Sequence, residues 1–258
     1  MKTLSFCGLF SACILMLSSC LEGGSNEQSQ SGVCGIIRFD MKTMKTVIDA
    51  PGYPYSFYDP QIEYLGFSDN DCILFSYNVN YSDEINTNYQ TTGIVQGSIS
   101  NVSLIDQWRC ISEVINDSVS LIENEQPIAY AVSTNGPSFY YSERLFLTSD
   151  FERNTEQRTS WYLYYEPELP TKEVEGKVVY SLFLRAVMTA QGKAPLVQGS
   201  VINVYNTGNF FGETTRIEKE KGKSEVNFQI HYINDIGEDR SSFTWVKSDV
   251  LSIPIPED

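Results

Sequence analysis

Leu17-Ser18-Ser19-Cys20 sets a thiol directly behind small residues at the end of an apolar run. That arrangement permits one definite reaction, alkylation of the Cys20 sulfur by a diacylglyceryl group and cleavage of the chain before Cys20. A positive start at Lys2, an apolar stretch from Leu4 to Leu17 and the small pair Ser18-Ser19 supply the parts a secretory signal needs. The stretch is shorter than the roughly 20 residues of a membrane-spanning helix. Residues 1–19 therefore read as a lipoprotein signal peptide and Cys20 as the lipidated first residue of the mature chain. Each buried methylene contributes about 0.8 kcal/mol, so two or three acyl chains, palmitate among them, anchor a protein where one does not.

Other residue types that could do chemistry are sparse. His231 is the single histidine. It lies in an alternating segment, Val226, Phe228, Ile230 and Tyr232 against Asn227, Gln229 and His231, which places it on a wet strand face. One histidine excludes multi-histidine metal sites and leaves a Ser/His/Asp triad without support. Glu166 and Glu168 flank Pro167 beside an aromatic segment, where paired carboxylates could act on a glycoside, but as loop acids they read as solvated charge. Asn234 to Asp239 offers oxygen ligands without the spacing of a calcium loop and reads as a turn. The chain contains no P-loop, GxSxG or HExxH. The expectation is no catalytic residue, no metal and no cofactor. Of six cysteines, Cys7 and Cys13 leave with the signal and Cys20 takes lipid. Cys34, Cys72 and Cys110 remain, open to three buried thiols or to one disulfide plus a thiol.

Aromatic residues supply the one surplus that invites a binding role. Tyr53, Tyr55, Phe57 and Tyr58 occupy a segment punctuated by Pro51, Pro54 and Pro60, where no strand pattern requires rings. They could stack on sugar faces or anchor a protein contact, or they could fold back as a lid over an adjacent barrel.

The elements that must position these residues are short and β-rich. Residues 20–32 are mostly Gly, Ser, Asn, Gln and Glu and read as a flexible tether. From Cys34 to Trp108 the chain reads as a small barrel. Its segments are a hairpin around Met41-Lys42-Thr43, strands over 61–67 and 72–79, a polar loop over 81–91, and strands over 92–98 and 102–108. In the second of these strands Ile73, Phe75, Tyr77 and Val79 form an apolar face opposite Cys72, Leu74, Ser76 and Asn78. A second block follows, with antiparallel strands over 128–133, 138–148, 160–165, 177–188, 198–206, 225–233, 243–246 and 250–255. A further hairpin arm over 214–217 turns at Lys221-Gly222-Lys223, and no segment shows a sustained helical stripe. The block has the size of a two-sheet sandwich. The barrel is assigned to 33–110 and the sandwich to 111–258.

Composition narrows the partners. The chain carries a net charge of −15, and loss of the leader removes Lys2 and no acid. Nucleic acid is excluded as a partner, since its phosphates are met with lysine and arginine, and close contact with anionic lipid is opposed. The membrane is reached through the N-terminal lipid. Leu21 is not the aspartate associated with inner-membrane retention, which favours the outer membrane.

The leader, the polar tether, a first block with Asp71-Cys72-Ile73-Leu74-Phe75-Ser76-Tyr77 at its middle and a longer β block together resemble the NigD-like lipoproteins of the Bacteroidetes. The resemblance implies an all-β chain in which an OB-like barrel precedes an immunoglobulin-like sandwich. That family carries no established reaction, so the resemblance brings no catalytic residues. The residues themselves read as a non-enzymatic cell-envelope protein that binds a protein or glycan partner, with a structural or adhesin-like surface component and a carbohydrate-active enzyme as the alternatives.

Overall fold

The computed structural model describes residues 26–115 and 119–256. The signal peptide, Cys20 and the first part of the tether lie outside the described residues. The chain is nearly all β and divides into two units between Ile105 and Asp106, five residues before the boundary expected from sequence.

The first unit contains β1 (Glu27–Asp40), β2 (Lys45–Asp49), β3 (Ser56–Tyr58), β4 (Cys72–Asn80), β5 (Ile94–Gln96) and β6 (Ser98–Leu104). They hydrogen-bond in the order β5-β3-β2-β1-β4-β6. β5 and β6 are consecutive and separated only by Gly97, so the two ends of this order meet and the sheet closes into a barrel. β5 runs parallel to β3, Phe57 opposite Val95, and β6 runs antiparallel to β4, Tyr77 opposite Ile99. Glycine is required at the junction because a Cβ on residue 97 would stand 2.5 Å from the Asn78 carbonyl oxygen. Asp59 secures the same seam, its buried carboxylate accepting the Ile99 amide at 2.8 Å and the Gln61 amide at 2.9 Å.

Local sequence explains most of the barrel. The alternation in β4 is as expected, with Ile73, Phe75, Tyr77 and Val79 inside the barrel core together with Ile37, Ile48 and Phe57. Two expectations change. Residues 60–64 form a 3-10 helix instead of a strand, because Asp59 caps the Gln61 amide, Pro60 opens the turn and Ile62 alone is buried. β1 starts at Glu27, so residues 27–32 belong to the sheet rather than the tether. Gln28 and Gln30 lie opposite Val79 and Tyr77, and a bulge after Gln30, with Gly32 at φ 70°, resets the alternation for Val33 and Ile37.

The second unit opens with β7 (Asp106–Ser112), β8 (Glu125–Gln126), β9 (Phe139–Tyr141), β10 (Arg144–Thr155) and β11 (Arg158–Tyr165). It continues with β12 (Thr171–Val174), β13 (Lys177–Ala190), β14 (Lys193–Asn206), helix α1 (Gly208–Glu220), β15 (Glu225–Ile236), β16 (Phe243–Lys247) and β17 (Leu251–Pro254). One sheet orders β9-β10-β14-β7 and the other β7-β11-β13-β15-β16. β7 serves both, pairing Asp106–Arg109 with β14 and Cys110–Ser112 with β11. Between the sheets lie Leu145, Leu147, Phe151 and Tyr205 from one side and Trp161, Leu163, Leu182, Leu184, Phe228 and Ile230 from the other. The unit is a β-sandwich.

Three details depart from the expected sandwich. β7 pairs parallel to both neighbours, and β13 pairs parallel to β15, because β14 and α1 form a crossover long enough to bring the chain back in the same direction. Residues 208–220 are helical instead of forming a hairpin arm, and Phe210, Phe211, Thr214 and Glu218 fall on one buried stripe. The paired threonines and Gly212 conceal that stripe in the sequence. His231 is 1 % exposed instead of solvated. Its ring packs on Phe183 at 4.7 Å, which in turn meets Trp245, and the neighbouring Gln229 amide donates to the Ser248 carbonyl. The polar-looking face of β15 is covered, so alternation there marks two different interiors rather than core and water.

Candidate functional site

Tyr53, Tyr55 and Phe57 converge at one end of the barrel, while Tyr58 diverges. Residues 53, 55 and 57 share a side of an extended segment by their period of two. The Tyr53 and Tyr55 rings meet Phe57 edge-on at 5.0 and 5.4 Å. Phe57 is core, and Tyr53 and Tyr55 are half-buried around it. Tyr58 faces the other way, buried beneath Lys45, whose Nζ lies 4.1 Å from its ring centroid.

The aromatic group is larger than the sequence revealed. Tyr77, Tyr81 and Tyr89 complete it, with Tyr55 5.7 Å from Tyr89 and Tyr53 5.7 Å from Tyr77. Its hydroxyls form a fixed network. Tyr53 donates to Gln30 Oε1 at 2.6 Å and lies 3.0 Å from the Tyr77 hydroxyl, Tyr55 bonds Tyr81, and Tyr81 donates to Gln28 Oε1 at 2.7 Å. Burial raises the pKa of Tyr55, Tyr77 and Tyr81 above the ordinary tyrosine range, so the network stays phenolic. Period-two Gln28 and Gln30 were the available signal for this rim, hidden by a composition that resembles linker.

The barrel mouth is therefore filled by ordered tyrosines, Tyr53, Tyr55, Tyr81 and Tyr89 each keeping part of its ring in solvent. Such rings offer large contact area with few rotamers to lose, which suits recognition. On the outer wall, Asn78, Asn80, Asp83, Ile85, Gln96 and Ser98 line a shallow groove of about 300 Å³. Three of these carry carboxamides that can donate and accept together.

The remaining sequence candidates sit in turns, strand ends and core. Glu166 sits in a turn, its carbonyl accepting the Leu169 amide, with Glu168 exposed beside it. Asn234 and Asp235 continue β15, and the turn follows at Gly237, whose amide donates to the Ser242 carbonyl. No disulfide joins Cys34, Cys72 and Cys110, and burial pushes Cys34 and Cys110 up to about 12. Among the described residues no group of three or more His, Cys, Asp or Glu is disposed to hold a metal ion.

Comparison with known proteins agrees with this architecture. Residues 24–103 match the family model of the lipoprotein OB domain. No curated protein matches the chain. Among solved structures, an uncharacterized protein from Parabacteroides merdae is similar with a TM-score of 0.74 at 23% identity, over 88% of this chain and 100% of that one. A candidate lipoprotein from Bacteroides fragilis is similar at TM-score 0.57 and 10% identity, over 89% and 99% of the two chains. A NigD-like immunity protein from Bacteroides caccae is similar at TM-score 0.50 and 9% identity, over 89% and 97%. Residues 24–103 thus match the lipoprotein OB domain, and the whole chain shares its fold with a NigD-like immunity protein of Bacteroides caccae.

Proposed function

We propose that the protein is a non-enzymatic lipoprotein of the cell envelope, held on the outer membrane by acylated Cys20, whose barrel binds a partner protein. The observation that carries this reading is the tyrosine mouth. Its rings are ordered before any partner arrives, so binding there avoids much of the usual cost of immobilising side chains. A structural relative bears the name of an immunity protein, in keeping with a protective rather than catalytic role.

The test of anchoring is fractionation: Cys20→Ala releases the full chain from the membrane, and a mutant that stays bound refutes acylation. For recognition, the full chain is cross-linked in its own envelope. The partner band is lost in the Tyr53→Ala, Tyr55→Ala double variant, and a band of unchanged intensity removes the mouth from the reading.

The carboxamide groove supports a second reading, a neutral glycan partner whose hydroxyls Asn78, Asn80 and Gln96 would bond. A glycan array probed with the Cys20→Ala chain decides between them. A signal abolished by Asn78→Ala favours the glycan, and a blank array favours the protein.

A further inference from the structure

The opposite end of the barrel carries a patch that the mouth does not use. Asp40 pairs with Lys45, so Met41 to Met44 form the tip of the β1–β2 hairpin. β3 runs antiparallel to β2 with Phe57 opposite Ile48, and therefore carries the chain toward that same tip. Lys45 lies over Tyr58, and the Tyr58 hydroxyl donates to Glu63 at 3.4 Å, which brings the 60–64 turn alongside. The β4 approach joins them, since Asn70 donates to the Ile37 carbonyl and Asp69 accepts the Phe39 amide.

Three chain segments thus meet at this end, and they expose large apolar side chains together. Met41 is 75 % exposed, Met44 66 %, Tyr64 87 %, Leu65 53 % and Phe39 41 %. Apolar residues scattered singly on a surface need no explanation, but a cluster on one end of a small barrel marks an interaction site. Methionine adapts to irregular partner surfaces. Around the patch stand Asp40, Glu63, Asp69 and Asp71. Arg38 is held between Asp49 and Asp40, and Lys45 lies on Tyr58, leaving Lys42 as the cation at the tip.

From this placement we infer that the Phe39, Met41, Met44, Tyr64 and Leu65 end of the barrel is a docking surface for a cationic partner protein with an apolar recess. Charge selects the occupant. A net charge of −15 repels a second copy of the chain and an anionic lipid surface, and it steers a basic protein toward an acid-rimmed apolar end. This surface lies at the end of the barrel away from the tyrosine mouth and stands whether or not the mouth binds.

Photo-cross-linking in the native envelope tests it, with benzoylphenylalanine replacing Met44 in the full chain and, as controls, Ile85 near the mouth and Val178 in the sandwich. The expected result is a protein adduct from position 44 and none from position 178, whether or not position 85 also yields one through the mouth. The captured protein is basic, and when purified it binds the Met41→Ser, Met44→Ser double variant at least tenfold more weakly. Association with the parent chain slows as salt rises. Leu65→Ser, on a separate segment, weakens binding in the same direction, and both variants melt within a few degrees of the parent because the replaced side chains are exposed. Adducts from position 85 or 178 only would move the interface elsewhere and overturn the inference while leaving a binding role intact. A self-adduct, a lipid adduct, an acidic partner, unchanged affinity of both variants or no adduct at all also overturns it.

Discussion

The side-chain amide of Asn86 pairs with the backbone of Gln96 in both directions, Nδ2 donating to the Gln96 carbonyl and Oδ1 accepting the Gln96 amide, each at 2.8 Å. A second Nδ2 bond reaches the Asn80 carbonyl at 2.8 Å. Asn86 thereby acts as a one-residue strand, holding the end of β4 to the end of β5 from a segment that the sequence presents as a polar loop.

Asn86→Ala leaves these backbone groups unpaired in a fully buried place and is expected to destabilise the protein by about 2–4 kcal/mol in urea unfolding. Asn86→Asp is expected to be at least as harmful, because it sets a carboxylate oxygen against two carbonyls. A loss under about 0.5 kcal/mol for both variants would contradict this role for Asn86.

In the sandwich, Arg185 donates through Nε to Glu125 Oε1 at 2.6 Å, and its second nitrogen bonds both Glu125 Oε2 and the Ser120 carbonyl. Both side chains are almost wholly buried. Arg185→Met is expected to cost about 3–5 kcal/mol, since it strands the Glu125 charge, and adding Glu125→Leu should restore much of that loss. Thermal melts of the three proteins read the coupling, and additive losses would show that Arg185 and Glu125 do not depend on one another.

The thiols give a pH signature. A pKa of about 12 for Cys34 and Cys110 keeps each protonated at pH 8, lowering the thiolate fraction about a thousandfold relative to an exposed cysteine. Mass spectrometry of alkylated peptides should find both unmodified in the native protein and labelled after denaturation. Rapid native labelling of either would place it nearer solvent than described.

Glu218 on α1 accepts the Tyr180 hydroxyl at 2.7 Å and the Lys221 ammonium at 2.8 Å. Burial opposes its ionisation, yet these donors outweigh it and hold the carboxyl below the usual range. A depressed folded pKa stabilises above the unfolded value and is lost as pH falls through the folded one. Glu218→Gln should therefore cost about 1–2 kcal/mol at pH 7, and the difference should fade as acid protonates Glu218 through its lowered folded pKa. A pH-independent difference would assign Glu218 a packing role alone.

Legibility in the sequence followed burial. β4 was readable because Ile73 and Phe75 face core while Asn78 faces water, so alternation has one meaning there. β15 misleads because Asn227 and Gln229 find hydrogen-bond partners and His231 packs on Phe183 beneath a second cover. Gln28 and Gln30 were hidden because their place at the barrel rim is set by the tyrosine hydroxyls they accept, a relation between positions about 25 to 50 residues apart. Tyr53 and Tyr55 were found by their surplus in a proline-rich segment, but Tyr81 and Tyr89 sit in a stretch whose order depends on Asn86. The exposed methionines were legible as a turn and not as a surface, since only the fold shows which other segments share their end.

Gly97 has a wider consequence. Because the strand on either side of it pairs with β3 and then with β4, the seam leaves less margin at which another extended chain could begin a ladder. An unpaired strand margin is where neighbouring chains recruit one another into fibrils. A side chain at position 97 would push the seam apart and create two such margins at once. The smallest residue in the wall thus guards solubility as well as shape.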